Sequence, residues 1–162
     1  MAKTGKILAF VAGLLTIIGT FFFTLLQFFT GYVYGAGGMF NIDDIFVYGT
    51  SGAPDAWVAW VAGPLIILYL LSGFVQLLGI KSKIAAILGS ILPLFVAISI
   101  LLAWFDVTVP YMVYLLFLAA EPLVPGIIPI AFEYSFMVVG WGTFIILIGG
   151  LLSLISGFMS RE

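Results

Sequence analysis

Four stretches of the chain, residues 7–29, 56–80, 84–105 and 135–159, each run past twenty residues without a charged side chain. About 20 apolar residues match the ~30 Å hydrocarbon thickness of a bilayer at 1.5 Å per helical residue. Four such runs in 162 residues leave almost no soluble mass. Only 7% of the residues are charged and 64% are hydrophobic, with a mean hydropathy of +1.34. A water-soluble domain carries roughly a quarter charged residues to cover its surface. A membrane β-barrel would instead show short segments of alternating hydrophobicity, and the runs here are continuous. The expected fold is an all-α membrane protein: one integral domain over residues 1–162, a bundle of four transmembrane helices. Residues 30–55 and 106–134 form its two outer segments. The first run is longer than the hydrophobic stretch of a signal peptide and ends in Phe28 and Phe29 rather than small residues, so a retained span is expected.

Charge fixes the expected orientation. With four crossings, Lys3, Lys6, Lys81, Lys83 and Arg161 all fall on one side, joined only by Glu162. Asp43, Asp44, Asp55, Asp106, Glu121 and Glu133 fall on the other. The positive-inside rule then puts both termini and the link at residues 81–83 in the cytoplasm of a multi-pass cell-membrane protein. Trp57, Trp60, Trp104 and Trp141 lie near the outer ends of the spans, with Tyr32 and Tyr34 beyond the first. They make a one-sided aromatic belt.

The outer segments differ in character. Residues 30–55 combine Gly35, Gly37, Gly38, Gly49 and Gly52 with Ile42, Ile45, Phe46, Val47 and Tyr48, a mixture that suggests turns and a short β-hairpin. Residues 110–120, PYMVYLLFLAA, read as a short interfacial helix opened by Pro110. The stretch EPLVPGIIPIAFE that follows, residues 121–133, has three prolines between two acids. A fifth crossing there would interrupt a helix repeatedly, at about 3 kcal/mol per interior proline, and would carry Arg161 outside. It reads as a rigid cap over the helix ends; a re-entrant pore loop is the alternative.

Sliding the chain on itself by 77 positions sets Lys6-Ile7 on Lys83-Ile84 and Ser72-Gly73 on Gly149-Gly150. It also sets Gln76 on Ser153 and Gly79 on Ser156. Apolar sequence matches itself easily, but a duplicated hairpin of helices would be related by an axis along the membrane normal.

Small and polar residues recur at helical spacing along three spans. The first carries Gly13, Thr16, Thr20, Thr24 and Gln27; the second Ser72, Gly73, Gln76 and Gly79. The fourth carries Gly142, Gly149, Ser153, Ser156 and Gly157. Small residues let helices approach closely in lipid, and Ser, Thr or Gln can bond across the contact. These stripes are expected to be helix-packing seams; the alternative is a pore-lining route for ions or a small solute. No span has a charge near its middle, which argues against ion-coupled transport.

The chain has no cysteine and no histidine, which removes disulfides, thiolate chemistry and the commonest ligand of haem, copper and zinc. No cofactor is expected. Asp43 and Asp44 are weak candidates for a hard cation, since one loop rarely supplies six to eight oxygens. With Glu121 and Glu133 they would form an outer acidic vestibule. A net charge of −2 without a basic cluster gives no reason to expect a nucleic-acid partner. The layout resembles that of claudins and tetraspanins as a topology. The outer loops of those proteins depend on cysteines, which this chain lacks, so no family is assigned.

The expected function is therefore non-enzymatic: a tetraspan protein acting by helix association, with membrane lipid around it. Its partners would be further copies of itself or a larger membrane complex that it joins as an oligomeric component or accessory subunit. The alternative is an oligomeric ion or small-solute channel.

Overall fold

The computed structural model describes residues 2–28, 31–37, 42–53, 56–105, 135–136 and 139–159. In chain order these form α1 (Ala2–Phe22), β1 (Thr24–Phe28), β2 (Gly31–Tyr34) and α2 (Ile42–Gly49). Then come α3 (Trp57–Leu78), α4 (Lys83–Trp104), β3 (Ser135–Phe136), β4 (Val139–Gly140) and α5 (Trp141–Phe158). Four helices, α1, α3, α4 and α5, are long and apolar enough to cross a membrane. At 18 to 22 residues each, they extend about 27–33 Å.

These four pack as a ring in the order α1, α3, α4, α5, each helix touching its two neighbours. Every neighbouring pair is antiparallel. Along the first pair, Gly13 meets Leu77 and Thr20 meets Tyr69. Along the last, Ser156 meets Gly5 and Gly142 meets Gly19. Lys3, Lys6, Lys81 and Lys83 are exposed and fall at one end of the bundle. The start of α3 with Trp57 and Trp60, the end of α4 with Trp104, and the start of α5 with Trp141 fall at the other.

Three boundaries depart from the sequence reading. The first helix ends at Phe22, not near residue 29, and the chain turns at once into β1. Three consecutive phenylalanines at 21–23 precede Thr24; aromatic and β-branched side chains lose rotamer freedom in a helix and suit a pleated surface. Thr24 and Gln27 consequently lie on a strand, and leave the helical stripe of Gly13, Thr16 and Thr20. The hairpin is real but sits at residues 24–34, whereas residues 42–49 are helical. Ile42, Ile45 and Phe46 stand at i, i+3 and i+4, the spacing of one helix face, and Ile45 is buried while Val47 is exposed. The fourth long helix starts at Trp141, with two short strands ahead of it.

To the all-α expectation the chain therefore adds, after α1 and before α5, an antiparallel sheet in the order β2-β1-β4-β3. Leu26 of β1 pairs with Val139 of β4, and a bulge between Thr24 and Leu26 shifts the register. Leu25, Leu26 and Val139 share one core with Ile66, Tyr69, Leu70, Val96, Ala97, Ile100 and Ile146 of the helices. The sheet thus continues the bundle where α1 and α5 stop while α3 and α4 run on. Its close fit excludes side chains: a Cβ on Gly140 would strike the backbone carbonyl of Thr24, and one on Gly142 would lie 2.7–2.8 Å from three backbone carbonyls. The chain leaving β2 also closes the end of α1, where the Ala36 N–H donates to the Thr20 carbonyl at 3.1 Å. That satisfies one of the acceptors a helix C-terminus leaves open.

Helix α2 lies along the first half of α3. The Phe46 ring packs where a Gly63 side chain would stand, and meets Trp60 at a centroid distance of 5.6 Å. The Trp60 indole N–H donates to the carbonyl of Gly49 at 3.0 Å, capping the last turn of α2.

Candidate functional site: the polar seam between the helices

The seam starts from a proline. Pro93 stands inside α4, has no N–H, and cannot bond the carbonyl four residues earlier, that of Gly89. In lipid an open carbonyl needs another donor. Gln76 of α3 supplies it: its Nε2 donates to the Gly89 carbonyl at 2.9 Å. The absence of a side chain on Gly89 makes this possible, since a Cβ there would stand 2.8 Å from both Cγ and N of Gln76. The amide's other end is used as well. Thr16 of α1 donates its hydroxyl to Gln76 Oε1 at 2.9 Å. One glutamine therefore ties three helices together.

Other polar side chains of the seam also find protein partners. Thr20 donates to the Tyr69 hydroxyl at 3.1 Å, tying α1 to α3. Ser153 of α5 donates to the Ala86 carbonyl of α4 at 2.7 Å, and Ser156 to the Gly5 carbonyl of α1 at 2.8 Å. Thr143 donates to the Leu25 carbonyl at 2.5 Å, fastening α5 to β1. Ser72 bonds within its own helix, to the Tyr69 carbonyl at 2.5 Å. Thr24, displaced onto β1, turns its hydroxyl to the Leu26 carbonyl.

Gln76, Ser153 and Ser156 have 0% of their surface accessible and Thr16 1%. A group with no surface open to a water-sized sphere borders no water column. Gly13, Gly73 and Gly149 complete the closure: a Cβ on each would come within 3.0 Å of the facing helix. These small residues bring the backbones together, as the spacing of small residues implies.

Of the residues singled out from the sequence, Gly13, Thr16, Thr20, Ser72, Gly73, Gln76, Gly149 and Ser153 meet at the helix contacts. Asp43 is exposed on α2. Asp44 belongs to the same helix, but its side chain, like that of Gln27, lies outside the described residues. So do Glu121 and Glu133, and with them the whole cap or pore-loop stretch and the interfacial helix expected at 110–120. Among the described residues no three His, Cys, Asp or Glu come together as a metal group. Sequence reasoning passed over Tyr69, Thr143 and the pairing of Pro93 with Gly89. The last had a signal, a glycine four positions before a proline inside an apolar run. Comparison with protein-family models, with curated proteins and with solved structures finds no match.

Proposed function

We propose that the chain is a non-enzymatic, multi-pass component of the cell membrane that works by association, as an oligomer or as a subunit of a larger complex. One observation carries this reading. Thr16, Gln76 and Ser153, the polar side chains that cross between the helices, are buried and bonded to protein partners. Polar groups engaged in holding the helices together favour action through the outward faces. The small-residue stripes are used within the chain, so association would rest on larger exposed groups such as Trp57, Trp60, Val61 and Leu68 of α3. The lysines gathered at one end support a cytoplasmic placement of both termini and of residues 81–83.

Cross-linking in native membranes tests the reading. Discrete oligomers, or a reproducible co-purified partner, are expected; a strictly monomeric chain with no partner overturns it. The exposure of Asp43 at the end away from the lysines favours a second reading, an oligomeric channel with an acidic outer vestibule. That reading requires conductance in planar bilayers that falls when Asp43 and Asp44 become Asn. Silence in every assembly state removes it.

A further inference from the structure

The four exposed lysines at one end of the bundle are unevenly spread. Gly13 meets Leu77 and Gly73 meets Ile17, a register that carries the first turns of α1 level with and past the link at residues 79–82. Lys6 stands seven residues before Gly13 and shares its side of α1, the side turned to α3. Lys3 lies one turn nearer the N-terminus, and Lys81 sits in the link itself. Three ammonium groups therefore flank the notch between α1 and the end of α3. All three lysines are exposed, and among the described residues no acid lies at this end.

Apolar side chains edge the same notch. Phe74 and Leu78 each follow by one position a residue that touches α1, Gly73 or Leu77, and both are exposed, as is Ile7 beside Lys6. An acidic peptide in water would meet the lysines alone. A membrane lipid meets the lysines with its headgroup and the apolar edge with its chains. Each lysine near a membrane surface favours an anionic headgroup by a factor of about five. The other half of the chain supplies an internal comparison. Positions 77 further on, Ile84, Leu151 and Ile155 replace Ile7, Phe74 and Leu78, at 69%, 45% and 52% exposure against 56%, 49% and 63%. Lys83 stands there for Lys6, but Ile80 stands for Lys3 and Phe158 for Lys81. The walls match and the lysines do not.

We infer that the notch between α1 and the link at residues 79–82 holds the phosphate headgroup of one anionic phospholipid. Lys3, Lys6 and Lys81 surround that headgroup, and the acyl chains run along Ile7, Phe74 and Leu78. The site rests on the membrane placement proposed above and is independent of association, since every residue in it belongs to one copy.

The full chain, reconstituted in vesicles of equal phosphatidylglycerol and phosphatidylcholine and released into mild detergent, is examined by native mass spectrometry. Retained phosphatidylglycerol should exceed phosphatidylcholine about fivefold or more. Lys81→Gln should lower that ratio about twofold or more, and Lys6→Gln with Lys81→Gln should bring it near parity. Lys83→Gln, which removes the same charge as Lys81→Gln, should leave the ratio unchanged. In the unaltered chain, a phosphatidylglycerol with photoreactive acyl chains should label Ile7, Phe74 and Leu78 over Ile84, Leu151 and Ile155. Equal retention of the two lipids, a fall in Lys83→Gln as large as that in Lys81→Gln, or even labelling of the two sets overturns the site. Extraction of the chain from the vesicles by alkaline carbonate would overturn the membrane placement itself, and the site with it.

Discussion

The helical pair α1 and α3 and the pair α4 and α5 are built on one register. Gly73 lies against Ile17, and Gly150 lies against Leu94; positions 73 and 150, and positions 17 and 94, each differ by 77. The other two contacts of the ring repeat it. Gly89 meets the carbonyl of Ser72, and Gly149 meets the carbonyl of Ala12, again at positions 77 apart. The shared register gives the two helical hairpins one packing pattern, with a glycine at both counterparts only in the pair Gly73 and Gly150.

The halves part at one polar position. Gln76 and Ser153 are equivalent, yet Gln76 reaches two helices and Ser153 donates one bond to α4. The cause lies on the neighbouring helix. Position 93 is proline and frees the Gly89 carbonyl, whereas its counterpart Thr16 keeps the N–H that serves Ala12 within α1. A long amide is needed only where the backbone is broken. The longer buried amide of this bundle thus sits where a proline has opened the backbone.

The largest effects should come from the shared register. Gly73→Leu and Gly150→Leu each force a side chain into space held by Ile17 or Leu94, with Cβ contacts starting at 2.7 Å in both. Overpacking of a tight core costs about 1–3 kcal/mol or more. Both variants should therefore lose most folded protein in membranes, measured as the detergent-soluble monodisperse fraction. If one is tolerated and the other is not, the halves are not equivalent.

Gln76→Leu comes next. It leaves the Gly89 carbonyl buried and unpaired, at about 1–3 kcal/mol. Ser153→Ala removes a hydroxyl whose acceptor still has its own helical donor, at about 0.6 kcal/mol. Reversible unfolding in lipid–detergent micelles should rank them in that order; equal losses would contradict the proline account. Pro93→Ala sharpens the contrast, because an N–H at 93 returns a donor to Gly89. Pro93→Ala should recover about 1 kcal/mol in the Gln76→Leu background and less in the unaltered chain, a coupling that a double-mutant cycle reads directly.

Much of this was legible in the sequence. Uncharged runs placed the four long helices, and the spacing of Thr16, Ser72, Gln76 and Ser153 placed the seam, because helix period and lipid thickness are local properties. What was not legible depended on neighbours. The end of α1 at Phe22 is set by a strand partner near residue 139, and no local pattern names it. Residues 42–49 satisfied a loose β pattern as well as a helical one, and the contact of Phe46 with Gly63 and Trp60 favours the helix. That Gln76 joins Thr16 to Gly89 needed the ring order, since Thr16 and Gln76 are 60 residues apart.

The smallest effect tests whether the seam is one unit or several bonds. Thr16→Val keeps the shape of the side chain and removes its donor, so Gln76 Oε1 loses a partner while Nε2 keeps Gly89. Interhelical bonds in membranes average about 0.6 kcal/mol, and the loss here should be of that order. In the Gln76→Leu background the same substitution should cost nothing more, since the acceptor is already gone. If the full cost persists without Gln76, the Thr16 hydroxyl acts through another neighbour, Gly149 being the nearest, with its Cβ position 2.5 Å from Oγ1. The contact of α1 with α5 would then hold that threonine in place, and the three-helix tie through Gln76 would be secondary to it.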